Sequence, residues 1–427
     1  MHDGPRRRGA LPALTAYLLY AGGSALFFAS YGTLANVYRI EVAHLDALQL
    51  VLVGTALEAA VFLFEVPTGV LADAVSRRLS VLVGLALTGA GYLLEGALPL
   101  FGTILAAQLL WGLGSTFESG AVDAWVTDEI GEQRAAGAFM RAAQVGQVAS
   151  LLGIGLATLL GRLGLAWPLL AAGLGFVLLT GTLAVAMAET GFRPERRASD
   201  GGGEVAAAAL GGGFARLRRT LVAGVRVARG RPVVRWILLI ALLAGAASEV
   251  FDRLWQARLL QHPLRVVDSL GTAGFFGAVA AAAMLLSLIA TEVARRRVDA
   301  ASHAATARTL MVLTAVLSVS VLGFGVAGDG RTALGFYFLA IMIRRVNAPL
   351  GRAWLNQSAT SQVRATLFSF ANQVDALGQI AGGPLLGLLA LKAGMPWAFA
   401  ACAALLVPAV LIYARTLRLA PAADAAG

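Results

Sequence analysis

The sequence predicts an all-α membrane protein, with twelve transmembrane helices arranged as two six-helix pseudo-repeats. Three observations carry this. The 427 residues are 58% hydrophobic and only 14% charged, with a mean hydropathy of +0.75, too apolar for a water-soluble chain of this size. Twelve stretches reach the roughly 20 mostly apolar residues that a bilayer-crossing helix needs, because lipid offers no partner for unpaired backbone groups. One basic polar segment separates the first six stretches from the last six.

Taken in order, the spans fall near 12–37, 46–71, 79–98, 102–126, 136–161 and 166–188, then near 234–257, 270–292, 307–327, 332–355, 365–391 and 395–416. They predict an N-terminal bundle over 1–188, a cytoplasmic linker over 189–233 and a C-terminal bundle over 234–427. Ser199 to Gly213 is rich in Gly and Ala, as in a flexible connector. Phe214, Leu217, Leu221 and Val225 follow at helical spacing among arginines. Two readings stand for this part: an amphipathic helix on the inner leaflet, or a solvated tether.

The net charge of +10 would suggest a nucleic-acid partner in a soluble protein. In a membrane protein it is explained by the bias of Lys and Arg towards cytoplasmic loops. With the N-terminus inside, 22 basic residues fall on cytoplasmic tails and loops. Only six, Arg39, Arg162, Arg258, Arg265, Arg331 and Lys392, fall on the other side. The expectation is a multi-pass protein of the inner (plasma) membrane with both termini cytoplasmic, a lipid bilayer around it and no nucleic acid. The first apolar stretch is too long for a cleaved signal. Cys402, the lone cysteine, excludes an internal disulfide.

The halves repeat. A shift of 229 positions lays Trp125, Gln133, Phe139 and Gln144 on Trp354, Gln362, Phe368 and Gln373, so spans four and five recur as ten and eleven. Parallel six-helix repeats are a transporter design, with the substrate site between the halves.

Gly69, Leu71, Ala72, Asp73, Arg77 and Arg78, between spans two and three, match the Gly-x-Leu-Ala-Asp-Arg-x-Gly-Arg-Arg loop of the major facilitator superfamily. The chain resembles that superfamily along essentially its whole length. It departs at Ala74 and Ser76, where a basic residue and Gly are usual. The stretch Phe64-Glu65-Val66-Pro67-Thr68-Gly69 resembles the drug-efflux branches related to macrolide and tetracycline exporters. Gly69 would allow a close helix approach. Asp73 would cap span three or pair with arginine, and Arg77 and Arg78 would reach Asp128 or Glu129 at the inner end of span four. Such a latch would hold the cytoplasmic side closed; the plain alternative is a positive-inside turn.

Charges inside spans are costly to bury unpaired and are therefore expected to act or to pair. Spans one, four, seven and ten line the central cavity in the superfamily. The resemblance thus makes Glu118, Asp123, Glu249, Asp252, Arg253, Arg344 and Arg345 candidates for proton or substrate contact, with Glu58, Glu65 and Asp375 as possible coupling groups. Glu249 and Arg253 stand four apart and can pair on one face; Asp252 can meet Arg344 or Arg345. Each can equally be a structural ion pair. Carboxylates in apolar walls favour their neutral form and so suit proton coupling.

Two familiar antiporter features are missing. Gln108 precedes Gly112 where a span-four arginine is usual, and the Gly-Pro-x-x-Gly-Gly signature is absent from span five. A related stretch, Gly378 to Gly387, lies in span eleven, where its small residues allow close helix contact. Aromatic residues in the spans, among them Tyr17, Tyr20, Phe28, Tyr31 and Trp111, could stack on a solute or anchor the helices.

The resemblance implies a monomeric secondary active transporter, with proton-coupled efflux of small lipophilic compounds by alternating access. Uptake, a narrow substrate range, or a non-transporting sensor on the same scaffold are the alternatives. No enzyme activity, cofactor or metal is expected: the four histidines lack metal-ligand spacing, and no phosphate-binding Gly-rich loop is present.

Overall fold

The computed structural model of the chain describes residues 10–192, 232–262, 264–299, 302–357 and 361–419, together with a few positions between 212 and 222. Most of the proposed amphipathic segment, including Phe214, Leu217, Leu221 and Val225, lies outside the described residues. Among the described residues there are thirteen helices and no strand. They are α1 (Ala13–Glu41), α2 (Ala47–Ala74), α3 (Arg77–Ala97), α4 (Phe101–Glu118), α5 (Ala121–Ile130), α6 (Glu132–Gly161) and α7 (Ala166–Ala186). After the central segment come α8 (Pro232–Leu260), α9 (Arg265–Arg297), α10 (His303–Val326), α11 (Gly330–Gln357), α12 (Ser361–Ala393) and α13 (Met395–Leu419).

Eleven of these are long and apolar enough to cross a membrane. The expected fourth span, 102–126, is the exception, because it is not one helix. Its chain turns at Ser119–Gly120, where Gly120 takes φ +70, a region that side-chain-bearing residues resist. The span is therefore α4 plus the short α5, and thirteen helices make twelve passes. A second turn at Gly131 (φ +85) separates α5 from α6. Gly271 (φ +69) kinks α9, close to where the eighth span was expected to begin.

The contacts group into two compact units. The first is Met1–His44, Ala56–Arg219 and Leu270–Gly277; the second is Leu45–Thr55, Thr220–Ser269 and Ala278–Gly427. In the first unit glycines bring α3 against α4: a Cβ on Gly84 would run into the Gly114 carbonyl and Glu118, and one on Gly91 into the Ala107 carbonyl. In the second, Gly378 lies on the Leu242 carbonyl, Gly382 on Ala246 and Gly245 on the Asp375 carbonyl. The span-eleven glycines thus do what their spacing allows: without side chains, α8 and α12 close to backbone contact.

Candidate functional site

The break in span four builds the first candidate site. Glu118 ends α4 and Asp123 stands in the first turn of α5. Tyr20 of α1 donates its hydroxyl to Glu118 Oε2 at 2.8 Å, and Thr88 of α3 lies 3.4 Å from Oε1. Tyr17 donates to Asp123 Oδ1 at 3.2 Å. At the break itself, Ser119 donates to Glu65 Oε1 of α2 at 2.7 Å. Glu118 and Asp123 line a cavity of about 570 Å³ with Tyr20, Phe28, Trp111 and Phe176, and no basic side chain lines it. Among the described residues its carboxylates are thus served by hydroxyls alone. Glu58, the other acidic residue expected on span two, is partly buried on α2.

Beneath this wall lies a cluster that the charge count misassigns. Arg39, assigned above to an outside loop, is inside α1 and 2% exposed. It pairs with Glu95 of α3, fully buried, at 2.8 Å. Arg39 Nη2 also donates to the Tyr31 hydroxyl at 2.6 Å and Nη1 to Asn36 at 2.6 Å. Gln108 of α4 donates to Glu95 Oε2 at 2.8 Å and to Tyr31 at 3.0 Å. Thus Gln108, in place of the usual arginine, shares Glu95 and Tyr31 with a guanidinium brought from α1. Tyr31 stacks on Tyr92 with centroids 3.6 Å apart, and both rings meet Trp111 edge-on at 5.5 Å. The readable signal for this cluster is Glu95, a charge inside an otherwise apolar span. Arg258 is likewise buried rather than in a loop, donating to the Ala327 carbonyl at 2.7 Å.

Some of the contacts expected of the α2–α3 loop form. Arg77 pairs with Asp128 and lies 3.4 Å from Asp73. The remaining contacts differ from expectation. Ser76, not Asp73, caps α3, its hydroxyl accepting from Leu79 N at 2.9 Å, because Asp73 is still within α2. Arg78 turns to the end of α7, donating to the carbonyls of Met187, at 2.9 Å, and Ala184. Its own amide and the Ser76 hydroxyl donate to Glu189, at 2.9 and 2.6 Å, a residue the loop motif gives no reason to expect. Among the described residues Glu129 takes no arginine; it accepts from the Thr190 hydroxyl and the Gly191 amide, each at 2.7 Å. No described residue comes within 4 Å of where a Cβ on Gly69 would stand, so that glycine makes no close approach here.

In the second unit the span charges sort into pairs. Glu249 and Arg253 meet at 3.0 Å one turn apart on α8, and the Glu249 side chain is only 2% exposed. This pair turns towards Gly54 of α2, where any Cβ would strike both side chains, and towards Gly383 of α12. Arg344 of α11 grips Asp252 through both nitrogens, the Nη2–Oδ2 contact being 2.6 Å, and lies over the Phe251 ring. A cavity of about 860 Å³ opens beside it, lined by Arg344, Arg352, Asn347 and Asp375. Glu249, Arg253 and Arg345 are not among its lining residues. The first two are spent on each other; Arg345, the next residue round the helix, is exposed. Asp375 accepts from Gln379 at 2.9 Å.

No known protein-family pattern matches the chain. A curated protein of Bacillus subtilis (strain 168), described as the uncharacterized MFS-type transporter YxaM, is 22% identical over 373 residues, 86% of this chain and 87% of its own. Solved structures align along nearly the full length. A nucleoside transporter, NupG, has a TM-score of 0.73 at 11% identity, covering 96% of this chain and 100% of its own. A peptide transporter, POT, has a TM-score of 0.73 at 15% identity over 95% and 94% of the two chains. A POT family transporter in complex with 5-aminolevulinic acid has 0.71 at 14% identity over 96% of both. The chain has the major facilitator fold.

In the numbering of spans for that fold, α1 is span one, α4 and α5 together are span four, α8 is span seven and α11 span ten. Spans one and four supply Tyr20, Glu118 and Asp123 to the first cavity. Spans seven and ten supply Phe251 and Arg344 to the second. The major facilitator scaffold of this chain thus carries one acidic, aromatic-walled cavity and one of mixed charge, each inside its own unit.

Proposed function

We propose that this chain is a proton-coupled secondary active transporter that exports small, largely apolar organic compounds by alternating access. The observation that carries the reading is the first cavity: Glu118 and Asp123 flank a break in a membrane-spanning helix, receive only hydroxyl donors, and face aromatic rings. A carboxylate with hydroxyls and no cation beside it can cycle between its charged and neutral forms. The rings of Trp111, Phe28 and Phe176 give an apolar or cationic solute a surface to stack on. The likeness to YxaM, described as an MFS-type transporter, supports transport. The efflux-like stretch Phe64–Gly69 supports the outward direction.

In this mechanism Glu118 carries the proton and Asp123 and the rings hold the solute. Gly120 lets α5 swing against α4, while Arg77 and Asp128 part as the cytoplasmic side opens. The protein is expected to work as a monomer, without a cofactor.

The test is proton movement in proteoliposomes on addition of lipophilic cations, tetracyclines and macrolides. Compound-dependent proton release, abolished in Glu118→Gln and Asp123→Asn, is the expected result. Silence of the unaltered protein across the panel overturns the export of these compounds. Activity that survives both changes moves the proton site away from the first cavity.

A further inference from the structure

The second cavity holds an unbalanced pair of charges. Five helices enclose it. Its apolar lining includes Phe251 of α8, Leu310 and Leu317 of α10, and Leu406 and Tyr413 of α13. The charged lining comes from the other two helices. On α11, Arg344, Asn347, Gly351 and Arg352 share one stripe, at offsets of three, seven and eight residues that return to the same helical face. On α12, Phe368, Asn372 and Asp375 do the same.

Of the three charges on these stripes, one is matched among the described residues. Arg344 is neutralised by Asp252 through a two-pronged contact. Among the described residues Asp375 receives only the Gln379 amide, and none forms an ion pair with Arg352, which is exposed on the cavity wall. One carboxylate and one guanidinium are therefore left without each other inside a largely apolar chamber. Arg352 stands eight residues beyond Arg344 on α11, about 12 Å along the axis at 1.5 Å per residue. Asp375 belongs to the Arg344 end, since α12 starts back at Ser361 just after α11 ends at Gln357, and Asp375 stands about as many residues beyond that turn as Arg344 stands before it. The two open charges are thus at different depths, with Asn347 and Asn372 on the same polar wall.

We propose that this cavity binds an elongated zwitterion, an organic molecule with an ammonium group and a carboxylate separated by an apolar segment of roughly 10 Å, a length set by the helical rise between the two levels. The ammonium pairs with Asp375 and the carboxylate with Arg352, whose fork suits a carboxylate. The apolar segment lies on Leu310, Leu317 and Leu406. Each open charge then gains a partner on binding, which neither a simple amine nor a simple acid achieves. A zwitterionic lipid headgroup carries its two charges too close together to reach both. The inference rests on the transporter reading only in making this molecule a cargo.

The test is equilibrium binding to the purified full-length protein in detergent, with labelled 8-aminooctanoic acid as probe and octanoic acid and octylamine as comparators. The amino acid is expected to bind at least about tenfold more tightly than either comparator. Arg352→Gln is expected to weaken the amino acid and octanoate but spare octylamine; Asp375→Asn is expected to do the reverse for the two comparators. Melting curves verify that both variants fold. Equal affinity for all three molecules, no binding to the unaltered folded protein, or binding unchanged in the double variant overturns the proposal. Binding is read without a gradient, so a protein that binds the probe yet moves no solute in liposomes overturns transport and leaves this site standing.

Discussion

Arg39 and Glu95 meet at 2.8 Å in an interior where neither side chain is more than 2% exposed. The pair ties α1 to α3, and through Tyr31 and Gln108 it fixes the rings that back the first cavity. Removing one partner leaves the other as an uncompensated buried charge, at a cost of about 3–5 kcal/mol. Glu95→Leu and Arg39→Met should each lower the melting temperature sharply, and the double variant should recover much of the loss. A double variant as unstable as the sum of the two would show that the network, rather than charge pairing, holds the helices together.

Two glycines separate a conformational role from a packing role. Gly120 sits at φ +70 in the span-four break, so Gly120→Ala should cost about 1–2 kcal/mol and slow transport. Gly69 lies inside a helix with no described neighbour near its would-be Cβ. Gly69→Ala should therefore leave stability unchanged or raise it by about 0.5–1 kcal/mol. Melting curves of both variants decide this, and a destabilised Gly69→Ala would contradict the open space around it.

The two loop arginines should behave differently. Arg77 and Asp128 are partly exposed, 21% and 28%, so their coupling in a double-mutant cycle should be below about 1 kcal/mol and fade with salt. Arg78 serves the carbonyls at the end of α7, groups that lose their partner when it is removed. Arg78→Ala should cost more, about 1–3 kcal/mol, with little dependence on ionic strength.

Outside the membrane, Asp329 at the start of α11 accepts from the Thr332 hydroxyl at 2.6 Å, the Thr332 amide at 3.0 Å and the Arg331 amide at 2.9 Å. The Thr332 bonds hold its carboxyl below its ordinary value of 3.8. A carboxyl depressed on folding stabilises the fold above its unfolded value and loses that contribution as pH falls through the folded one. The helix start should thus be fully held at neutral pH and loosen in acid below about 4. Asp329→Asn should flatten this acid limb in hydrogen exchange at α11.

Much of the fold was legible in the chain. Span lengths and the Gly69–Arg78 loop follow from local composition and spacing. Arg77 finds Asp128 as the loop motif implies, and Glu249 finds Arg253 because four residues make one helical turn. Other partners were not legible. The fourth span looked continuous because Ser119–Gly120 is one pair of small residues among many. Arg39 looked like a loop cation because it stands at the end of span one, and nothing local says that Glu95, 56 residues away, waits for it.

The sequence by itself determined that the chain crosses a membrane twelve times, since apolar length and the demand for internal backbone hydrogen bonds are local properties. Tertiary structure alone decided which charges within the helices are matched. Pairing Arg39 with Glu95 and Arg344 with Asp252, and leaving Asp375 and Arg352 open, depends on which helix faces meet. Those faces are set by side-chain packing and glycine contacts between distant segments, and no spacing along one helix encodes them.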